Sequence, residues 1–562
     1  MKKKILMLVC AFCFVIPAVL FGLTACGTKD TTNTRVVTDE NGLRYRLFNG
    51  NYSVVGLDDY DETYVSIPAK FKNKPVTRIE EGAFEDCENL THITIPKSVT
   101  SIGHSAFSDS FSLEGVNYEG NINDWVSINF GSAEANPLYY GAKLHINQGI
   151  ITEVHITTTE IKPYALRNCR QLTDVILGEN VEIIGNDAFY FCDNLETLQI
   201  LSDSHISIGR MAFYACFSLK EVIYSGNIND WVSIDFAHDA SNPLDEGVKL
   251  IINDQVVTTA NITATEIKPY AFDNYNQLTS LILDKSVKTI GNSVFSSSIE
   301  EVIYNGNIND WVSINFADGG ANPLSTESKL IINDQVVTTA NITATEIKPY
   351  AFSGYDQLTS VNLVDGVISI GDGAFQWCSN LGDVSFPNTT TTIKRWAFKG
   401  CSNFKSVIIG NNVTSIEYAA FENCSNLESV IIGNNITIIE DSLFENCSNL
   451  KSVIIGNNVT SIGYDAFKGC SNLDSITIPQ SVTSIRHSAF DNCSALATVI
   501  IDGETVANAL AVGAMAYMVY DAQTIYVKSG LSVSNSTYLL LNFRKQATSD
   551  KVGYDMYVRN AE

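Results

Sequence analysis

Positively charged residues are scarce in this chain of 562 residues: 36 lysines and arginines stand against 62 aspartates and glutamates, for a net charge of −26. Nucleic-acid binding needs clusters of lysine and arginine against phosphates, and electrostatic attachment to anionic lipid needs the same charge. The composition therefore excludes nucleic acid as a partner. It also disfavours a membrane surface held by charge alone.

The sequence also lacks the residue spacings of common catalytic and metal sites. Its seven histidines fall at unrelated positions, and no G-x-S-x-G motif or glycine-rich phosphate loop occurs in a suitable context. No C-x-x-C pair of the kind that binds zinc occurs after the first 25 residues. These absences predict a protein that is not an enzyme and that needs no cofactor or metal.

Long apolar runs are confined to the N-terminus, where three lysines precede the apolar stretch Ile5–Leu20. This pattern is typical of a secretory signal and is too short for a stable membrane span. The stretch is followed by Leu-Thr-Ala-Cys at 23–26, which resembles the bacterial lipobox. That resemblance implies a lipoprotein signal peptide over 1–25 and a lipid attached to Cys26, with 26–42 as a flexible tether. The alternative is ordinary cleavage near Ala25, with Cys26 left as an incidental thiol.

The chain consists largely of one short sequence repeat that occurs many times. In the C-terminal half a phenylalanine recurs at a constant step of 23 residues, at Phe352, Phe375, Phe398, Phe421, Phe444, Phe467 and Phe490. One unit runs from Leu427 through Val430, Ile432 and Ile439 to Cys447. Because alternate residues of Val-x-Ile point the same way, each unit predicts a short strand with one buried face.

A single unit of this length cannot bury its apolar side, so successive units must stack. The sequence predicts a mostly β, right-handed repeat solenoid of about seventeen parallel-strand coils over 76–503. An N-terminal cap is expected at 43–75. A C-terminal cap is expected at 504–562, with a helical stretch over Thr505–Met518 and a strand at Thr524–Val527; a small independent module at this end is the alternative.

Three coils are longer than the rest, at 113–150, 219–256 and 299–336, and each contains the segment Gly-Asn-Ile-Asn-Asp-Trp. The spacing of Ile122, Trp125 and Phe130 matches that of apolar residues in an ordinary unit, which predicts that Trp125 occupies the position of a core isoleucine. Partly exposed tryptophans with a binding role are the alternative. The extra residues after Phe130, with their Lys-Leu-x-Ile-Asn pattern, predict a loop or hairpin that projects from the solenoid.

The unit L-x-x-V/I-x-I followed by I-G-x-x-A-F-x-x-C resembles the BspA-like leucine-rich repeats of bacterial surface proteins. The resemblance covers roughly 65–503, with clear instances at 90–107 and 473–493. It implies a surface-exposed binding or adhesion protein and supplies no catalytic residues.

Ten cysteines beyond Cys26 all follow the repeat phenylalanine, or the leucine in its place, by three residues. Equivalent side chains in stacked coils point in parallel, whereas a disulfide needs them turned toward each other. We therefore expect a buried row of reduced thiols that act as small hydrophobic groups, although disulfides between neighbouring coils remain the alternative. Six of them lie on consecutive coils: Cys378, Cys401, Cys424, Cys447, Cys470 and Cys493.

One outward-facing feature departs from the repeat pattern. The middle residue of Val-x-Ile should face solvent and is polar in most coils, but it is isoleucine in four: Ile408, Ile431, Ile454 and Ile500. The first three lie on consecutive coils and form a candidate partner-binding stripe, since contiguous exposed apolar residues often mark interaction sites. The alternative is that β-branched residues were selected only for strand propensity.

Together these observations predict a secreted, lipid-anchored protein on the bacterial cell surface that binds an extracellular protein or glycan, with protein binding or adhesion favoured. Two other hypotheses stay open: a surface lipoprotein that captures carbohydrate through loop aromatics, and a structural envelope spacer. The sequence does not identify the partner.

Overall fold

The computed structural model describes residues 35–58, 61–202, 205–503, 523–529, 543–546 and 548–559. The predicted signal peptide, Cys26 and the predicted helical stretch Thr505–Met518 lie outside these residues. No helix in the described part is long and apolar enough to cross a bilayer.

Nearly every coil contributes a front strand, which carries the Val-x-Ile pattern, and most coils contribute a shorter back strand; the coil that includes Thr392–Ile393 has a back strand and no front strand. The front strands are Tyr64–Ser66, His92–Ile95, Gly115–Tyr118, Lys143–Ile146, Glu153–Ile156, Asp174–Leu177, Thr197–Ile200, Glu221–Tyr224, Lys249–Ile252, Thr259–Ile262, Ser280–Asp284, Glu301–Asn305, Lys329–Ile332, Thr339–Ile342, Ser360–Leu363, Ser406–Ile408, Ser429–Ile431, Ser452–Ile454, Ser475–Ile478 and Thr498–Ile501. The back strands are Lys74–Ile79, Ser101–Ile102, Asn129–Phe130, Glu160–Ile161, Ile183–Ile184, Ser207–Ile208, Asp235–Phe236, Glu266–Ile267, Thr289–Ile290, Asn315–Phe316, Glu346–Ile347, Ser369–Ile370, Thr392–Ile393, Ser415–Ile416, Ile438–Ile439, Ser461–Ile462 and Ser484–Ile485.

Parallel pairing in constant register joins neighbouring coils within each sheet, and the front sheet ends at the return strand of each long coil, where a new sheet begins. Val430 lies between Val407 and Val453 in the front strands, and the back strands pair in the same sense. The repeat phenylalanines from Phe352 to Phe490 stack behind them, with neighbouring ring centroids 5.2–5.7 Å apart and rings within 15° of parallel. The predicted solenoid, with one continuous core shared by all coils, is confirmed.

Both ends of the stack carry antiparallel strands. At the N-terminus these are Val37–Thr38, Leu43–Phe48, Asn51–Leu57 and Lys70–Phe71, and Asn51–Leu57 pairs in parallel with the first back strand. At the C-terminus, Thr524–Lys528 pairs in parallel with Thr498–Ile501; Tyr554–Arg559 pairs antiparallel with Thr524–Lys528, and Phe543–Lys545 pairs antiparallel with Tyr554–Arg559 at the edge. The strand predicted at Thr524–Val527 is thus present.

The extra residues of the long coils form hairpins, as predicted, but the prediction that these hairpins project from the solenoid is wrong. Lys143–Ile146 pairs in parallel with Gly115–Tyr118 and buries Leu144, because its alternating pattern fits the front face like any other coil. A short return strand then closes each hairpin, at Gly149–Ile150, Gln255–Val256 and Gln335–Val336. Each long coil therefore supplies one more front strand than expected, and the solenoid has about 20 turns instead of seventeen.

The tryptophans of the long coils are fully buried, but in a position different from the one predicted. Phe130, paired with Ile102, takes the place of the core isoleucine, and Trp125 ends an inserted helical turn. These turns are Ile122–Trp125, Ile228–Trp231 and Ile308–Trp311, and 3-10 turns follow at Ala133–Ala135, Asp239–Ser241 and Gly319–Ala321. The helical turn forms because the Asn121 and Asp124 side chains cap it reciprocally, a signal present in the sequence as Asn-x-x-Asp.

Each buried indole links its long coil to the next one. The Nε1–H of Trp125 donates to the carbonyl of Ala165 at 2.8 Å, and Trp231 and Trp311 make the same bond to Ala271 and Ala351. The inserted turn interrupts the regular backbone hydrogen bonds between coils. The indole N–H supplies one donor in place of the backbone amides that are lost from this pattern.

Candidate functional site

Three isoleucines form an exposed row on the front strands, and we call Ile408, Ile431 and Ile454 the isoleucine stripe. They are in direct register on neighbouring strands, and their side chains are 61%, 39% and 57% exposed. The alternation that buries the flanking valines and isoleucines of each strand is what turns these side chains outward.

Polar rows border the isoleucine stripe at both ends of its strands. Three residues before the stripe, Lys405, Glu428 and Lys451 lie on consecutive coils, and the Lys451 ammonium is 3.0 Å from the Glu428 carboxylate. That contact and the charge of the lysines lower the pKa of Glu428. Three residues after the stripe, asparagine side chains accept from the backbone of the next coil: the backbone amide of Asn434 donates to the side-chain oxygen of Asn411 at 2.8 Å. The stripe is an apolar patch with a polar rim, the arrangement found at protein interfaces.

The fourth predicted isoleucine lies apart from the other three. On the coil after Ile454 the outward position is Thr477, and Ile500 follows it, half-buried and paired with Tyr526 of the C-terminal strand Thr524–Lys528. Ile500 is therefore separated from the isoleucine stripe by a polar residue.

Sequence reasoning missed six further isoleucines at outward positions of the front strands. All six are half-buried, in contrast to the isoleucine stripe, and they lie in two groups: Ile176, Ile223 and Ile251, then Ile282, Ile303 and Ile331. The signal was present in segments such as Val-Ile-Tyr, where isoleucine follows a buried valine. The hydrogen-bonded pair Asn341 and Asn362 separates these coils from the coils of the stripe.

The ten described cysteines are free thiols, and all except the half-buried Cys216 are buried. In the consecutive coils each thiol donates to the carbonyl of the phenylalanine 26 residues earlier, as Cys447 does to Phe421 at 3.3 Å. Burial raises the pKa of these thiols, and that of Cys447 lies well above the ordinary value. These groups are packing residues with weak hydrogen bonds, without the exposure or lowered pKa that a reactive thiol needs.

Thiol labelling tests this description. At pH 8 the folded protein should react with iodoacetamide at Cys424 and Cys447 at least 100-fold more slowly than the protein unfolded in guanidinium, because both access and thiolate population are reduced. Mass spectrometry of the labelled peptides gives the rates, and the half-buried Cys216 serves as the faster internal reference. Equal rates before and after unfolding would contradict a buried row of thiols.

The described residues contain no cluster of three or more histidine, cysteine or acidic side chains arranged to hold a metal ion. The two tryptophans outside the long coils lie at the turn side, where Trp377 is 48% exposed and Trp396 is half-buried against Tyr418. The exposed apolar residues are therefore the main candidates for molecular recognition in the described part of the chain.

A family of bacterial repeats matches most of this sequence. The description "BspA type Leucine rich repeat region" covers residues 63–134, 142–240, 255–331, 345–474 and 438–532. No curated protein matches the chain.

Several solved structures are similar to the chain at low sequence identity. A leucine-rich repeat protein from Bacteroides ovatus is 20% identical, with 83% of this chain and 94% of that chain covered and a TM-score of 0.26. A leucine rich cell surface protein from Faecalibacterium prausnitzii is 20% identical, with 84% and 95% covered and a TM-score of 0.25. The pneumococcal vaccine antigen PcpA is 18% identical, with 85% and 95% covered and a TM-score of 0.29.

Proposed function

Since this chain belongs to the BspA-type leucine-rich repeat family, we propose that it is a lipid-anchored protein of the bacterial cell surface that binds an extracellular protein, as in adhesion. Binding occurs on the front strands, with the isoleucine stripe at its centre. The chain acts by holding a partner and performs no chemistry on it.

The observation that carries this proposal is the isoleucine stripe with its polar rim. Three β-branched apolar side chains in register on a rigid, regular surface offer area that loses little conformational entropy on binding. Full burial of an isoleucine contributes about 1.5–3 kcal/mol relative to exposure, so the stripe can supply a substantial part of a binding energy. The charged and amide rows then set orientation and exclude wrong partners.

Binding to arrayed molecules tests the function directly. The purified protein should bind members of a panel of host and microbial surface proteins, and it should not bind a glycan array. Binding to glycans alone would instead support carbohydrate capture, and binding to neither would support a structural spacer. Both of these outcomes contradict the proposal.

The anchor is tested by a separate substitution. Cys26→Ser should move the protein from the membrane fraction to the medium and should remove incorporation of radiolabelled palmitate, because the lipidated thiol is lost. Cys13→Ser, inside the proposed signal peptide, is the matched control and should leave anchorage unchanged. A Cys26→Ser protein that stays in the membrane fraction would show that the lipobox interpretation is wrong.

A further inference from the structure

The three long coils close against the preceding coil in different ways. At the first junction, three backbone amides at alternate positions of the preceding coil donate hydrogen bonds to the long coil. Ser105 donates to the Ser132 hydroxyl, Phe107 to the Glu134 carbonyl and Asp109 to the Tyr140 hydroxyl, each at 3.0 Å. In the third, Ser293 donates to Asp318 and Phe295 to the Gly320 carbonyl, both at 3.2 Å. Each of these two junctions is therefore held by backbone amide donors.

The second long coil leaves the corresponding junction open. Its equivalent amides belong to Met211, Phe213 and Ala215, and within the described residues none of them donates a hydrogen bond to the following coil. A cleft of about 470 Å³ lies there, and its wall includes Met211, Tyr214, Phe217, His238, Asp239 and Asp245. The volume is within the range of ordinary ligand sites.

The sequence explains why this junction alone is open. Tyr140, which fills the first junction, is replaced at the equivalent position by Glu246. His238 stands where Ser132 caps the first junction, but its ring turns back to contact Asp239 and to accept from the Ala240 amide. Both side chains that closed the first junction are thus absent from the second.

An aromatic stack ends at the open cleft. Arg167, Tyr190 and Tyr214 occupy the same position on three consecutive coils; the guanidinium lies 3.9 Å from the Tyr190 ring centroid, and the two tyrosine rings are 5.5 Å apart. Arg167 also forms an ion pair with Asp187. One end of the stack therefore shows how this surface holds a guanidinium, between an aromatic face and a carboxylate.

At the other end of the stack an aromatic face and two carboxylates line the cleft without a lysine or arginine, and the His238 ring contacts one of the carboxylates, Asp239. Tyr214 is 48% exposed on the cleft wall, Phe217 beside it is 76% exposed, and the carboxylates of Asp239 and Asp245 are exposed. Asp245 forms no ion pair with a lysine or arginine of the described residues, and its carboxylate accepts from the backbone amide of Glu246 at 2.8 Å. Burial, and to a smaller extent the nearby charges of Asp239 and Asp245, raise the pKa of Asp273.

We propose that this cleft binds an arginine side chain on an exposed peptide segment of a protein partner. The guanidinium stacks on the open face of Tyr214 and pairs with Asp239 and Asp245, as Arg167 does with Tyr190 and Asp187. Main-chain carbonyls of the same segment accept from the amides of Met211, Phe213 and Ala215. The charge of the cleft is what favours a peptide with arginine over a neutral sugar, because a guanidinium both hydrogen-bonds and neutralises the two carboxylates, whereas sugar hydroxyls only hydrogen-bond to them.

This site goes beyond the isoleucine stripe and is separate from it. The cleft lies on the turn side of coils near residue 213, whereas the stripe lies on front strands from residue 406 onward. Failure of one site therefore says nothing about the other.

Fluorescence anisotropy with defined peptides tests the proposal on the full chain. The probe is a labelled, blocked pentapeptide of alanines with a central arginine, and the comparison peptide has citrulline, which keeps the shape and loses the charge. The arginine peptide should bind at least tenfold more tightly than the citrulline peptide, a difference of about 1.4 kcal/mol. Its affinity should fall as salt is raised.

Three variants locate the binding. Asp239→Asn with Asp245→Asn should weaken the arginine peptide at least tenfold, and Glu246→Tyr should abolish binding by restoring the side chain that closes the first junction. Asp254→Asn, on the exposed hairpin of the same long coil, is the matched control and should bind normally. Unchanged thermal melts would show that all three variants fold.

The proposal is overturned if neither peptide binds, if both bind equally, or if binding survives Glu246→Tyr. It is also overturned if a neutral oligosaccharide such as cellopentaose competes with the arginine peptide for the cleft. A shift to dimers that depends on Asp239 and Asp245, without peptide binding, would assign the cleft to a second copy of the chain and reject a partner protein.

Discussion

Trp311→Ala should lower the free energy of unfolding by about 3–5 kcal/mol, among the largest effects expected from any single substitution. The indole is fully buried between Tyr304 and Phe316, with ring centroids 5.4 and 5.6 Å away, so its removal leaves a large cavity. The Ala351 carbonyl also loses its indole donor inside the core. Equilibrium denaturation in urea, followed by circular dichroism, measures the loss.

The matched control is another tryptophan on the same solenoid. Trp377→Ala removes a side chain that is 48% exposed and should cost about 1 kcal/mol or less. Trp311→Phe separates the two parts of the effect, because it keeps most of the packing and leaves the carbonyl of Ala351 unpaired, for a cost of about 1–3 kcal/mol. Equal losses at 311 and 377 would contradict the role of the buried indoles as links between coils.

Ile431→Asp combined with Ile454→Asp should weaken partner binding by 100-fold or more. Each substitution removes an apolar contact. It also buries a carboxylate at the centre of the interface, where a partner surface that fits isoleucine has no basic group to pair with it. Thermal stability should change little, with a cost below about 1 kcal/mol per position, because both side chains are exposed and only strand propensity is lost. Surface plasmon resonance with the captured partner measures the affinity.

Ile438→Asp is the control that the repeat itself supplies. Ile438 lies on the back strand of the same coil as Ile431, and its side chain is 45% exposed. The residue type, the coil and the charge introduced are therefore the same, and only the face differs. Loss of binding in this variant as well would mean that charge, not position, is responsible, and would remove the argument for the isoleucine stripe.

The parts of the fold that repeat could be predicted from the sequence, and the parts that differ between coils could not. The 23-residue step of the phenylalanines fixes which residues stack, because every ring must meet its equivalent in the next coil. The insertion after Tyr118 has its own pattern, so the alignment put Trp125 in the place of the core isoleucine, which Phe130 occupies five residues later. Only the pairing of Phe130 with Ile102 shows where the unit resumes.

The isoleucine stripe was visible in the sequence because strand alternation alone decides which side chains face out. The cleft at the second long coil was not visible, because it arises from contacts that are missing. Whether the backbone amide of Phe213 has a hydrogen-bond acceptor depends on the position of a turn some 27 residues later. The open junction also depends on Glu246, which replaces the tyrosine found at the equivalent position, Tyr140, of the first long coil. Such differences between near-identical units appear only when the units are compared in three dimensions.

Site-specific crosslinking tests the central claim, that the front strands hold a protein partner, most directly. A photoreactive benzoylphenylalanine placed at 431, and in a second protein at 438, would be activated on intact cells in the presence of the partner. These two positions lie on opposite strands of one coil with similar exposure. We expect a covalent adduct of chain and partner from position 431 and none from 438. Equal adducts from both positions, or an adduct from 438 alone, would contradict it.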